Sequence, residues 1–403
     1  MNNNPSSTVI ISSYSDYGIG GLATYIKLLT EGLQEQGAKV EIIARFYKKA
    51  MSATSYADSD IPNIVLGEGH QTHIVAPHRY WKPALRQLSR LTGVPFLQGT
   101  ARRLYSLALG GTIQRAFPKK VDVVHYVGTG WELLGYIALS EARKRGAAFT
   151  IWPAVHPGEW GDGNLDLKLY CQADAIFTQS DFEKDHLISL GIAPEILHRC
   201  GLCPATESRG DGTQFREKHG LEDKLIILFI GRKDKGKGYH ALREALPDII
   251  KAVPNACLCA IGPNVEPPYS DVPENSFIDM GTASEQEKAD ALAACDVFCM
   301  PSTSEAFGIV YVEAWANSKP VVAGMAPAVQ ELVEEGVDGY CVSQRPADIA
   351  ERVTQLLRDP EMRQRMGQAG FVKQQKYYTK DAIVKQHNAV FQNILSQIYS
   401  RCS

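Results

Sequence analysis

The stretch "PSTSEAFGIVYVEAWANSKPVV", residues 301–322, sets Glu305 and Glu313 eight positions apart around Phe307 and Gly308. A carboxylate in a loop followed by one just inside a helix suggests a general acid and base pair. Upstream, "LFIGRKDKGKGYH" (228–240) ends an apolar run at Gly231 and then places Arg232, Lys235 and Lys237 before a helix starting near Gly238. Cations at a strand end beside a helix N-terminus suit a diphosphate, Arg232 as a fork and Lys237 as a point charge. "SDYGIGGLATY" (15–25) is a glycine-rich turn opening a helix, where Gly20 and Gly21 would let backbone approach an anion. Its spacing is not G-x-G-x-x-G, and no acidic residue ends the next strand, so a dinucleotide site is not expected. "TIWPAVHPGEWGDG" (150–163) holds His156 between Pro153 and Pro157, a stiff loop after a strand.

These segments need a scaffold that brings strand ends together. Short β-branched runs alternate with helical patterns almost from end to end, the signature of parallel sheets built from βαβ units. Strands are expected at 8–14, 39–46, 121–127, 148–154 and 175–180, and again at 223–232, 256–263, 296–302 and 319–324. A polar seam near "CGLCPATESRGDGT" (200–213) separates the two series. At 403 residues two domains are expected, and ligands of open α/β sheets bind beyond the carboxyl ends of the strands. Helical sequence after residue 360 ends in a tail long enough to pack back across the seam.

Composition excludes several classes. The chain is 44% hydrophobic and 22% charged, with no low-complexity tract and no apolar stretch near the eighteen residues of a membrane span. The N-terminal segment lacks a basic region and a long apolar run, so no secretory leader is expected. Nine cysteines without framework spacing fit thiols in a reducing cytoplasm, and Cys200-x-x-Cys203 lacks the partners a metal or redox site needs. The formal charge of −3 hides an asymmetry: residues 71–120 carry nine Lys or Arg and no Asp or Glu, which leaves −12 elsewhere. Within it, 78–120 reads as two cationic amphipathic helices with Tyr80, Trp81, Phe96 and Tyr105 interleaved. A solvated helix pair and a surface for anionic membrane or an anionic acceptor are the two readings. An overall acidic chain argues against nucleic acid as a partner.

"GGLATY", His156 after a strand, "GRKDKGKG" and "SEAFGIVYVEAWANSKPVV" resemble, in order and distance, the retaining glycosyltransferases of family 4, which have the GT-B fold. The resemblance covers nearly the whole chain, and its most specific part is the E-x7-E of Glu305 and Glu313. It implies an α/β architecture of two Rossmann-like, doubly wound parallel-sheet domains facing across a cleft. The first, 1–203, would bind the acceptor and the second, 204–380, the nucleotide sugar, with a tail helix (381–403) packing back on the first. It further implies that Gly21, Arg232 and Lys237 meet the donor diphosphate, and that Glu305 binds the donor sugar. The backbone of Phe307, Gly308, Ile309 and Val310 would hold phosphate or sugar, and Glu313 the ribose. Ala283 would lie against the base, and His156 near sugar and acceptor; His156 and Glu305 are the catalytic candidates. The activity implied is transfer of a hexosyl group from a nucleotide sugar, expected to be a UDP-sugar, to a lipid-linked, polysaccharide or small-metabolite hydroxyl. No cofactor and no metal are expected, since no D-x-D stands in a suitable strand-to-loop context. A cytoplasmic protein, free or peripheral on the inner membrane face, would fit. Alternatives are a sugar-nucleotide epimerase of the same fold, a phosphorylase, or a non-catalytic nucleotide-sugar-binding module. The chain departs from the family pattern at Asn317-Ser318, Pro327-Ala328 and the seam "CGLC".

Overall fold

The computed structural model describes residues 6–17, 21–47, 56–57, 64–66, 69–204, 210–265 and 276–402. The chain divides into two compact units, Met1–Gly201 with Lys380–Ser403, and Leu202–Thr379.

The first unit holds strands β1 (Ser7–Tyr14), β2 (Lys39–Phe46), β3 (Ile64–Leu66), β4 (Gln71–Ile74), β5 (Val123–Val127), β6 (Ala148–Trp152), β7 (Ala175–Thr178) and β8 (Leu197–Arg199). Their order is β3-β4-β2-β1-β5-β6-β7-β8, parallel throughout except the antiparallel β3–β4 pair. The central strands "VVHYV" and "AFTIW" are buried along their whole length, as parallel strands covered on both faces must be. The strand order reverses between β1 and β5, so the turn carrying Gly21 opens at the switch point of this sheet.

The second unit holds β9 (Leu225–Ile230), β10 (Ala256–Ile261), β11 (Phe277–Gly281), β12 (Val297–Met300), β13 (Val321–Ala323) and β14 (Gly339–Cys341). Their order is β11-β10-β9-β12-β13-β14, all parallel. Here the order reverses between β9 and β12, which places the segments after these two strands side by side.

The helix Lys380–Cys402 belongs to the first unit, although the sequence reaches it from the second. Its His387 stacks on Phe177 with ring centroids 4.2 Å apart, and Lys380 pairs with Glu35 at 2.7 Å. A chain of hydrogen bonds fixes the neutral tautomers beneath it. His387 Nδ1 lies 2.8 Å from the Ile383 carbonyl, which can only accept, so this nitrogen donates. Nε2 then accepts from the Tyr25 hydroxyl at 2.7 Å. Tyr25 in turn accepts from His125 Nε2 at 2.9 Å, leaving His125 Nδ1 to accept from Thr150 at 2.8 Å.

Two expectations are corrected. Residues 78–120 are not two helices: short turns at Arg79–Trp81, Lys82–Leu85, Leu88–Thr92 and Pro95–Leu97 precede one long helix, Gln98–Ala116. Pro83, Gly93 and Pro95 interrupt the earlier segment, where a continuous helix would lose backbone bonds. The segment Phe307–Val310, expected to offer its backbone to the donor, enters its helix only at Ile309, because Gly308 has φ +88° and caps the helix from a left-handed conformation.

The departures at 317–318 and 327–328 have local explanations. Ser318 itself adopts φ +55° after the helix Ile309–Ala316, so the turn a glycine would make is kept at a cost in strain. Pro327 opens the helix Pro327–Leu332, the position where a missing N–H is harmless.

Candidate active site

Among the sequence candidates, Gly21 and His156 lie in the first unit, and Ala283, Arg232, Lys237, Glu305, Phe307–Val310 and Glu313 in the second. Gly21 starts the helix Gly21–Glu35, and a Cβ there would meet nothing within 4 Å. Gly20 lies outside the described residues.

β9 runs straight into Arg232. The turn that follows is held by Lys237 N donating to Asp234 Oδ1 at 2.9 Å, and it leans on the segment after β12. There Thr303 N donates to Gly236 O at 3.0 Å, and Gln344 Nε2 bridges Pro301 O at 2.8 Å and Lys235 O at 3.0 Å. Gly238, φ +74°, is required: a Cβ there would stand 2.3 Å from the Pro301 carbonyl. The two segments are thus packed backbone to backbone at the switch point.

This packing brings Lys237 to Glu305. Lys237 Nζ donates to Glu305 Oε1 at 2.7 Å and to the Ser304 carbonyl at 3.1 Å, with both side chains mostly buried. The sequence assigned these residues to different parts of the donor and did not pair them. Arg232 remains largely exposed, its Nε 3.3 Å from Asp234.

Phe307 is buried and packs edge-on against Tyr378, centroids 5.5 Å apart, which anchors the segment from within. Gly308, Ile309 and Val310 form the start of the helix. Its first N–H groups have no partner within the helix.

Glu313 sits one turn along the same helix and is buried. Its Oε1 lies 3.0 Å from Lys288 Nζ, while its Oε2 is buried and has no partner among the described residues. Burial pushes the carboxyl above its ordinary value against the pull of the Lys288 ammonium. A buried acceptor of this kind is a candidate to receive a hydroxyl donor. Lys288 comes from the helix Glu285–Ala294, directly after the half-buried Ala283, so the segments assigned to base and ribose are physically joined. Glu313→Ala strands Lys288 and removes this acceptor. Its expected outcome is a nucleoside diphosphate affinity weaker by about tenfold or more, read by calorimetry, from loss of a hydrogen bond to a charged group.

Sequence reasoning missed Lys288, and also Lys233, whose wholly buried ammonium pairs with Asp279 of β11. Lys233 N also donates to Pro263 O at 3.0 Å, so the segments after β9, β10 and β11 stay zipped beyond the sheet. No local spacing signals either pair, because each joins residues far apart in the chain.

In the first unit, His156 follows β6 within a tight turn in which His156 and Trp160 exchange backbone bonds at 3.1 Å. The two rings stack with centroids 4.9 Å apart. Glu183 fixes the loop by accepting from Val155 N at 2.8 Å and Gln179 N at 2.7 Å, and burial pushes its carboxyl up to about 7. Asp162 accepts from Gly158 N at 2.8 Å and lies 3.0 Å from His186. Beyond β1 and β5, a further buried carboxyl, Glu132, accepts from Ser13, and burial pushes it to about 7 as well. Cys200, in the seam motif, is a free thiol pushed up to about 12 by burial, which suits packing rather than reactivity.

Comparison with known proteins agrees with this architecture. The family model "Glycosyltransferase Family 4" matches residues 19–200 and "Glycosyl transferases group 1" matches 211–373, so the two together take in most of the chain. D-inositol 3-phosphate glycosyltransferase 1 of Catenulispora acidiphila is 30% identical over 276 residues, 60% of this chain and 65% of that protein. The matches span from 36% to 65% of the length of the first curated relatives. Among solved structures, sucrose-phosphate synthase from Thermosynechococcus elongatus superposes with a TM-score of 0.68 at 17% identity, covering 97% of this chain and 99% of that one. Anabaena HepE in complex with UDP and glucose gives 0.67 at 15% identity over 94% and 98%. With two parallel-sheet units and matches of both halves in the expected order, the chain belongs to glycosyltransferase family 4 and has the GT-B fold.

Proposed function

We propose that this protein is a retaining, metal-independent hexosyltransferase that moves a hexosyl group from a nucleotide sugar, a uridine diphosphate sugar first, to an acceptor hydroxyl. The observation that carries the reading is the row of donor-sized groups along the carboxyl edge of the second sheet. Arg232 and Lys237 follow β9, Glu305 follows β12, and the partnerless Glu313 Oε2 stands one helical turn on. UDP is favoured because the similarly folded HepE is described with UDP and glucose, and an acceptor bearing phosphate because a relative is named for D-inositol 3-phosphate.

In the proposed course the departing diphosphate gathers negative charge. Lys237, Arg232 and the N–H groups opening the helix Ile309–Ala316 stabilise it, doing the work a divalent ion does elsewhere. Glu305 holds the sugar hydroxyls. A leaving phosphate oxygen takes the acceptor proton on the face it departs from, while His156 orients the acceptor. Proton NMR of the product tests this. Retained anomeric configuration with undiminished turnover in EDTA supports it, and inversion or loss of turnover in EDTA refutes it.

A peripheral contact with anionic lipid on the cytoplasmic face belongs to the same proposal. Arg79, Arg86, Arg90, Arg103, Arg115, Lys119 and Lys120 are exposed, and among them Tyr80 is 73%, Phe96 84% and Leu107 69% exposed. The inward side of the helix Gln98–Ala116 is taken up by Ala101, Tyr105, Ala108, Leu109 and Ile113, which leaves Arg103, Leu107 and Arg115 facing outward. No helix among the described residues is long and apolar enough to cross a membrane, so the contact would be interfacial. Charge reversal at Arg86, Arg90, Arg102 and Arg103 should abolish flotation with phosphatidylserine liposomes. Unchanged flotation, or none with the native protein, removes this part of the proposal.

A further inference from the structure

Three of the four cations after β9 face a carboxylate of the protein itself. Arg232 faces Asp234, Lys233 is buried against Asp279, and Lys237 is held by Glu305. The last pair differs from the others because both members are candidates for direct donor contact, at opposite ends of the bond that breaks. A diphosphate approaching Lys237 meets a carboxylate already within 2.7 Å of that ammonium. Two anions on one ammonium repel, so the diphosphate weakens the hold of Lys237 on Glu305.

We propose that the Lys237–Glu305 ion pair sets the preference for a sugar-bearing donor over the bare nucleoside diphosphate. This rests on the donor-site reading above. When a nucleotide sugar binds, the diphosphate takes Lys237, and the released Glu305 accepts hydrogen bonds from the sugar hydroxyls. Both groups end with partners. When only a nucleoside diphosphate is present, Glu305 gains no hydroxyls and is left as an unpartnered, mostly buried carboxylate, so the original pair competes with the ligand. After transfer the same competition favours release of the product. The pair is therefore a specificity device as well as a structural one, and it links the charge at the diphosphate to occupancy of the sugar pocket. Ser304 O, which also accepts from Lys237 at 3.1 Å, keeps the ammonium in place during the exchange.

The test is calorimetric titration of the full chain with UDP, GDP and ADP and with their glucose conjugates, comparing the native protein with Glu305→Gln. The glutamine keeps the shape and removes the competing charge. For whichever nucleotide binds, the variant should bind the bare diphosphate about three- to tenfold more tightly, the scale of a part-buried ion pair. It should not gain for the glucose conjugate, so the native preference for the conjugate shrinks. Glu305→Asp, charged but one methylene shorter, should fall between the two and serves if the glutamine variant does not fold. Equal or weaker binding of the bare diphosphate by a folded variant overturns the proposal. Failure of the underlying reading looks different: none of the six ligands binds even the native protein.

Discussion

Lys237→Met lowers kcat/KM for the nucleotide sugar by roughly two to three orders of magnitude, about 2.7–4 kcal/mol of transition-state stabilisation, the scale of losing one preorganised charge donor. The argument begins with position. Lys237 stands between β9 and the helix Tyr239–Ala252, where the cation, the helix terminus and the neighbouring segment after β12 converge. Arg232 is too exposed to substitute for it, because a cation in water is screened where a mostly buried one is not. Methionine keeps the stem, so packing changes little while the charge disappears. Lys237→Arg should recover only part of the loss, since a planar fork replaces a compact point charge between Ser304 and Glu305. Steady-state kinetics with a thermal melt separate the outcomes. A drop in kcat/KM in a protein that melts near the native temperature supports the role, and an equal drop in melting and activity does not.

The second large effect is on stability in acid. His387 is fully enclosed, and burial lowers its imidazole to about 4 from an ordinary value near 6.5, while His125 is lowered too, by burial and by His387. Both are neutral in the folded unit, as the one-way hydrogen-bond chain through Tyr25 requires. An imidazole depressed by folding contributes fully above the unfolded value. Its contribution is lost as pH falls through the window from 6.5 to 4, because only the unfolded chain takes up the proton. For His387 alone this is roughly 3 kcal/mol. Glu132 and Glu183 act oppositely: burial raises them to about 7, so the folded unit holds their protons first and gains stability as pH falls from 7. The informative quantity is therefore a difference. Relative to a Tyr25→Phe/His387→Phe variant, the native protein should lose about 3 kcal/mol between pH 6.5 and 4 in urea unfolding. A constant difference across that window contradicts the account.

The strands that were legible are the long apolar ones, such as "ACLCAI" and "LIILFI", where burial on both faces leaves no polar alternation to confuse. Those that escaped, β3, β4, β8, β11 and β14, are short or polar, and "QTHI" or "FIDMG" become strands only because a neighbouring edge offers hydrogen bonds. Propensity cannot see such a neighbour. The same division holds in the site. Arg232, Lys237, Glu305 and Glu313 stood out because each follows a strand or opens a helix. Their partners did not: Lys288 reaches Glu313 from another helix, and Lys233 meets Asp279 across the width of β10. The direct contact of Lys237 with Glu305 depends on β12 lying beside β9, an adjacency fixed by the crossover order.

Release of nucleoside diphosphate from a panel of uridine, guanosine and adenosine diphosphate sugars, with and without extracts supplying acceptors, tests the central claim most directly. The account predicts release from at least one donor, uridine first, stimulated by acceptor and nearly abolished in Lys237→Met. Neither release nor binding with any donor, acceptors included, would contradict it.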